Sequence, residues 1–188
     1  MDSIPEDVKA RLNAILPEFS ARGFNLNGVP THPNILLANE SSLLLKYSDE
    51  KYFLFATYDF DPTAPNMNHL KADFEMIKVV ALKHALQVED RSKPYPYHKV
   101  PDWLNDFKNL ESLILDNVDL QNDTILEGLN LKVLGIQKAK LDSMQLIEKI
   151  SKMGGLEFLL YRSTFSFKDV EELKRRLPLI TIINTSVK

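Results

Sequence analysis

Cysteine is absent from this 188-residue chain, which removes disulfides, thiolate nucleophiles, Cys-built zinc sites and iron–sulfur clusters. No apolar run approaches the roughly 18 residues of a membrane span, so no membrane partner is expected. The opening Met1 to Asp7 is acidic and lacks the basic and apolar regions of a signal peptide, and a cytoplasmic location is the expectation. No run of Lys and Arg exceeds Lys174-Arg175-Arg176, and 23 Lys+Arg against 26 Asp+Glu leave a net charge of −3. Phosphate neutralisation is a poor driver for such a chain, so nucleic acid is not an expected partner. A Gly-rich phosphate loop, G-x-S-x-G and H-E-x-x-H are all missing. His32, His69, His84 and His98 have no ligand spacing. No catalytic residue, metal or cofactor is expected.

What is present suffices for a core: 44% of the residues are hydrophobic, and a chain of this size buries roughly 70% of its unfolded surface. Leu supplies 13 of the first 109 residues but 16 of the last 79, which suggests two regions. In the first, Ser3 and Glu6 form a capping-box pair, and Val8, Leu12, Ile15 and Phe19 follow at helical spacing, with Pro17 as a kink and Gly23 as a stop. Ile35 to Leu37, Leu43 to Tyr47 and Tyr52 to Tyr58 are short apolar segments between polar turns and read as an antiparallel meander. Pro62 and Pro65 mark a boundary, so that 1–66 is a helix-and-meander cap and 67–188 a second region. Within 66–88 the reading is a short helix running into a strand, although the pattern leaves helix and strand both open. Arg91 to His98, with Pro94 and Pro96, should be an extended, exposed loop.

The second region carries an internal period. Leu110, Leu113, Leu115, Val118 and Leu120 fill the apolar positions of L-x-x-L-x-L-x-x-N/C-x-L, and Leu131, Leu134, Ile136, Ala139 and Leu141 fill them again. Leu156, Leu159, Tyr161, Thr164 and Ser166 make a third copy, and Leu177, Ile180, Ile182, Thr185 and Val187 a fourth. Residues 100–188 therefore resemble the leucine-rich-repeat family. The resemblance implies an α/β fold: a short right-handed coil, or solenoid, whose parallel strands fall near 112–116, 133–137, 158–162 and 179–183. The sequence departs from the family where Val118, Ala139, Thr164 and Thr185 replace the usual Asn or Cys. Return segments are read from the helical lead-in Val100 to Leu110, from the capping pairs Thr124 with Glu127 and Ser166 with Asp169, and from the inward stripes Leu141, Ile147, Ile150 and Phe167, Val170, Leu173, Leu177.

Strand alternation assigns Ser112, Ile114, Asp116, Val133, Gly135, Gln137, Phe158, Leu160, Arg162, Leu179, Thr181 and Ile183 to the concave face. Half of these are large and apolar, so either the N-terminal region folds back over them or a protein partner docks there. In the second case Phe158, Leu160 and Ile114 anchor the partner and Asp116, Gln137 and Arg162 trim the contact. Tyr95 and Tyr97, on the stiff Pro-rich loop, add contact area at low entropic cost. The function expected from these surfaces is non-enzymatic protein binding, by a small intracellular inhibitor or adaptor such as a toxin-neutralising immunity protein. A homo-oligomer joined through the repeat face is the alternative. A third alternative rests on Asp59-Phe-Asp61-Pro-Thr63, which resembles the D-x-D-x-T signature of haloacid-dehalogenase-type phosphotransferases, with Asp59 as nucleophile, Asp61 as general acid and Mg²⁺. An Asx-type turn before Pro62 explains the same letters, and the motifs that should follow are missing.

Overall fold

A computed structural model of the chain describes residues 5–15, 35–38, 42–48, 51–83, 95–162 and 164–185. The first element is α1 (Glu6–Ile15). The strands β1 (Ile35–Ala38), β2 (Ser42–Ser48) and β3 (Lys51–Thr57) then pair antiparallel in sequence, as the meander reading expects. A 3-10 turn (Pro65–Leu70) and α2 (Lys71–Glu75) lead to β4 (Ile77–Lys83), so 66–83 is a short helix followed by a strand. Ser3, Pro17, Phe19, Gly23 and the segment 84–94 lie outside the described residues.

From β4 onward the unit changes to a parallel one. The elements are β5 (His98–Lys99), a 3-10 turn (Asp102–Asp106), β6 (Ser112–Leu115), β7 (Val118–Asp119), α3 (Ile125–Gly128), β8 (Val133–Ile136), β9 (Ala139–Lys140), α4 (Ser143–Ser151), β10 (Phe158–Tyr161), α5 (Phe167–Arg176) and β11 (Thr181–Asn184). The main sheet runs β1-β2-β3-β4-β6-β8-β10-β11, with every pair from β3 onward parallel. A small parallel sheet, β5-β7-β9, stacks the corners that follow the long strands. The architecture is thus α/β with a mostly parallel sheet. Because β3 pairs directly with β4, the sheet crosses residue 66 without a break.

Leu113, Leu134, Leu159 and Ile182 form one lateral row across four strands. Two of these three pairings follow the repeat spacing, but the last strand is displaced by two residues from the expected 179–183. Helix α5 continues to Arg176, and Pro178 and Leu179 are then used in a turn closed by the Ile180 N–H to the Leu177 carbonyl at 3.0 Å. A slip of two preserves the faces, so Thr181 and Ile183 keep their side of the sheet while Leu179 is left 93% exposed off the concave face.

The larger core lies between the sheet and the helices, where Leu54, Val80, Leu113, Leu115, Leu134 and Leu159 meet Leu104, Leu126, Leu146, Ile147, Ile150 and Leu173. Phe60, Phe74, Trp103 and Phe107 close one end of it, with ring centroids 5.4–6.3 Å apart. Ser166 and Asp169 form the expected capping box at α5. Thr124 makes no side-chain cap. Asp123, one residue earlier, accepts from the Ile125 and Leu126 N–H groups instead, at 3.2 and 3.3 Å. Phe167, expected on the inward stripe, sits in the first turn of α5 and is 81% exposed. Two Thr hydroxyls bond carbonyls at the strand ends: Thr164 donates to the Ile136 carbonyl and Thr185 to the Tyr161 carbonyl, each at 3.1 Å. These carbonyls are register partners in adjacent strands.

Candidate functional site

The expected concave face is built as strand alternation requires, but it is not open. Val79, Ala81, Ile114, Val133, Phe158, Leu160 and Ile183 pack with Leu12, and Val8 and Ile15 flank them from the same helix. Phe158 and Leu160 are fully buried and Ile114 nearly so, because the apolar stripe of α1 lies across them. The Arg11 guanidinium sits 5.2 Å from the centre of the Phe158 ring, and its Nη2 reaches Glu157 Oε2 at 3.3 Å. Parallel strands buried on both faces need this second layer, so Phe158, Leu160 and Ile114 are core residues and not partner anchors.

The polar members of the same positions lie elsewhere. One residue past each strand end, backbone bonds run from the Asp116 N–H to Leu82 O, from Gln137 to Leu115, from Arg162 to Ile136 and from Thr185 to Tyr161, at 2.8–3.1 Å. Lys83, Asp116, Gln137, Arg162 and Thr185 are therefore lateral neighbours along the carboxyl edge, one row beyond the apolar rows that α1 covers. In open parallel sheets this edge is where ligands bind. Asp116, Gln137 and Arg162 are thus brought together, and they are half-buried, half-buried and exposed respectively.

The tyrosine segment reaches the same end of the molecule. The His98 N–H donates to the Asn117 carbonyl at 2.9 Å, and the His98 ring stacks on Tyr58 with centroids 4.6 Å apart. Tyr58 Oη in turn donates to the Asp116 carbonyl at 2.8 Å. Asn117, at the corner, adopts φ 55, a left-handed conformation that Asn tolerates better than most residues. Tyr97, next to His98, is 46% exposed and Tyr95 is half-buried, while residues 91–94 of the expected loop lie outside the described residues.

Electrostatics single out the row. Burial raises the Asp116 carboxyl above the usual range, against the opposing pull of Lys83, Lys138 and Arg162. Burial also lowers the Lys83 ammonium; Asp116 counters this and Arg162 adds to it. Tyr58 is pushed well above an ordinary phenol, chiefly by burial, and stays protonated as a donor. Asp59 accepts from Thr57 Oγ1, and Asp61 accepts from the Thr63 N–H at 2.8 Å and from Thr63 Oγ1 at 2.6 Å, an Asx-type turn. Among the described residues no three His, Asp or Glu side chains come together as a metal site, and no helix is long and apolar enough to cross a membrane. Lys83, Lys138 and Tyr58 were not singled out from the sequence; the signal available was position, since Lys83 ends an apolar strand and Tyr58 directly follows one. No protein-family model matches the chain, and no curated protein or solved structure is similar enough to assign it a family.

Proposed function

We propose that this chain is a non-enzymatic protein-binding module, a short leucine-rich-repeat-like coil that engages one protein partner through the carboxyl edge of its parallel strands. The observation that carries this reading is the convergence at one end of the half-exposed Tyr97, the exposed Arg162 and the polar Asp116 and Gln137, while the apolar face beneath is sealed by α1. Tyr and Arg are both among the residue types enriched at interface hot spots. The role proposed is that of a cytoplasmic inhibitor or adaptor, with a toxin-neutralising immunity protein as the concrete case. A compact, Cys-free chain of net charge −3 suits it. The test is affinity capture from the native extract with wild type, Tyr97→Ala, Arg162→Ala and Met144→Ala, the last on an exposed position of α4 outside the edge row. Retention of one protein that is lost with Tyr97→Ala and Arg162→Ala but kept with Met144→Ala supports the reading; equal retention by all four contradicts it.

Self-association is a second reading with its own observation. Strand β11 pairs only with β10 among the described residues, and Leu179 beside it is 93% exposed. Edge strands with an apolar neighbour template further pairing. Sedimentation equilibrium separates the two, since a stable dimer at micromolar concentration that Leu179→Lys dissociates favours self-association.

A further inference from the structure

Strand β11 ends the main sheet, and its surroundings differ from those of the strands before it. β6, β8 and β10 are buried along their whole length, whereas Thr181 and Ile182 are half-buried and Asn184 is exposed. The Thr181 and Thr185 N–H groups donate to the Glu157 and Tyr161 carbonyls, so by alternation Ile182 turns its backbone N–H and carbonyl outward. Among the described residues β11 pairs with β10 alone. The opposite edge is blunted, because the register of β1 shifts between Ile35 and Leu37, while β11 runs in unbroken register with its neighbour.

Helix α5 flanks the open edge. Asp169 is hydrogen-bonded to Ser143 of α4 and Leu173 is buried in the core, which fixes two sides of the helix. At about 100° per residue, Phe167, Glu171 and Lys174 fall on the side opposite Asp169, away from α4 and toward the edge. Phe167 is exposed, and the Glu171 and Lys174 side chains, 3.6 Å apart, are each more than half exposed. An exposed intrahelical pair of this kind contributes little, so its charges are available to another chain. Reversal of the helix maps this stripe onto its complement. In an antiparallel copy turned about a point between Glu172 and Leu173, Glu171 stands opposite Lys174, and Phe167 opposite Pro178 and the exposed Leu179. A two-fold also pairs Ile182 of β11 with its own counterpart, N–H to carbonyl in both directions. Because a crossover helix lies over the strands it joins, two edges about 4.8 Å apart bring the α5 axes to about 10 Å, within helix-packing range.

We infer that the open edge is occupied by a second copy of this chain in a closed two-fold dimer, with β11 added antiparallel to β11 and the α5 helices joined by reciprocal Glu171–Lys174 bridges. This rests on the self-association reading above and supplies its symmetry and contacts. Charge self-complementarity along α5 selects a second copy over an unrelated chain. The bulged β1 edge selects a closed dimer over a head-to-tail filament.

The experiment is sedimentation equilibrium of the full chain as wild type, as Glu171→Lys, as Lys174→Glu and as an equimolar mixture of these two variants. Wild type should dimerise at micromolar concentration. Each variant alone sets like charges opposite one another, and its dimer should be weaker by about tenfold. The mixture sets the paired lysines of one variant against the paired glutamates of the other, and dimerisation should return to within about twofold of wild type. A purely structural effect of either substitution would not be rescued by the other chain. A monomeric wild type removes the self-association reading and this one together. A dimer that Leu179→Lys dissociates, but that both charge variants form as tightly as wild type, keeps self-association and overturns this geometry. Weakening in both variants without rescue in the mixture overturns it as well, and growth beyond the dimer with rising concentration overturns the closed two-fold.

Discussion

Asp123 holds the first turn of α3 with a carboxylate that burial raises above its usual range against the pull of two backbone N–H groups and Lys149. A short helix of four residues has few other means of satisfying its first donors, so the cap matters more than its partial burial costs. Asp123→Ala should lower stability by about 1 kcal/mol in a urea melt, while Thr124→Ala should change it by less than about 0.5 kcal/mol. The reverse order would show that Thr124 is the cap. The contrast explains what was legible at this scale. Ser166 and Asp169 advertise a capping box and form one. Thr124 and Glu127 have the same spacing, yet Asp123 takes the donors from one position upstream, because the Asp side chain reaches both N–H groups and spacing alone does not rank competing acceptors.

Helix α5 shows how an element is tuned from its own surface. Arg175 and Arg176 both bond Glu172, and together they pull its carboxyl from the ordinary 4.5 down to about 2. Asp169 is also lowered, first by the Ser166 hydroxyl. A carboxyl depressed in the folded state adds stability that is present above its unfolded value and disappears as pH falls through the folded value. Glu172→Gln should therefore be less stable than wild type at pH 6, and the gap should close between pH 4.5 and about 2 in a series of thermal melts. Because Glu172 is at the surface the gap should also shrink in salt; a gap that persists unchanged at pH 2 would contradict the pairing. At the level of elements the hydrophobic pattern was informative wherever period and burial agreed, as in the meander and in the first three repeat strands. It misplaced the fourth because the lengths of α5 and the Pro178 turn decide where a strand starts, and the apolar run from Leu177 to Ile183 permits either of two starts on the same face.

Across the whole molecule, the repeat period placed the main core but could not decide what covers the other face. Leu134 is fully buried between neighbours of its own row, and Leu134→Ala should cost about 2–5 kcal/mol in a chemical melt; a loss under about 0.5 kcal/mol would remove it from the core. Ile114, Phe158 and Leu160 read equally well as a docking surface or as the floor beneath another layer, since both need the same apolar side chains. The distinction depends on a contact between residues about 150 positions apart, which no local pattern encodes. That Asp116, Gln137 and Arg162 share one polar strand-end row was legible from alternation, but that Lys83 and Lys138 act on Asp116 was not, because the register that aligns strand ends is set by packing. The proposed binding surface lies at the edge of the sheet only if α1 is the second layer over its face. A double-mutant cycle between Leu12→Ala and Phe158→Leu, measured by urea denaturation of the full chain, tests this directly. A coupling of about 0.5–3 kcal/mol is the predicted result, and additivity within about 0.3 kcal/mol would show that the helix does not rest on the sheet.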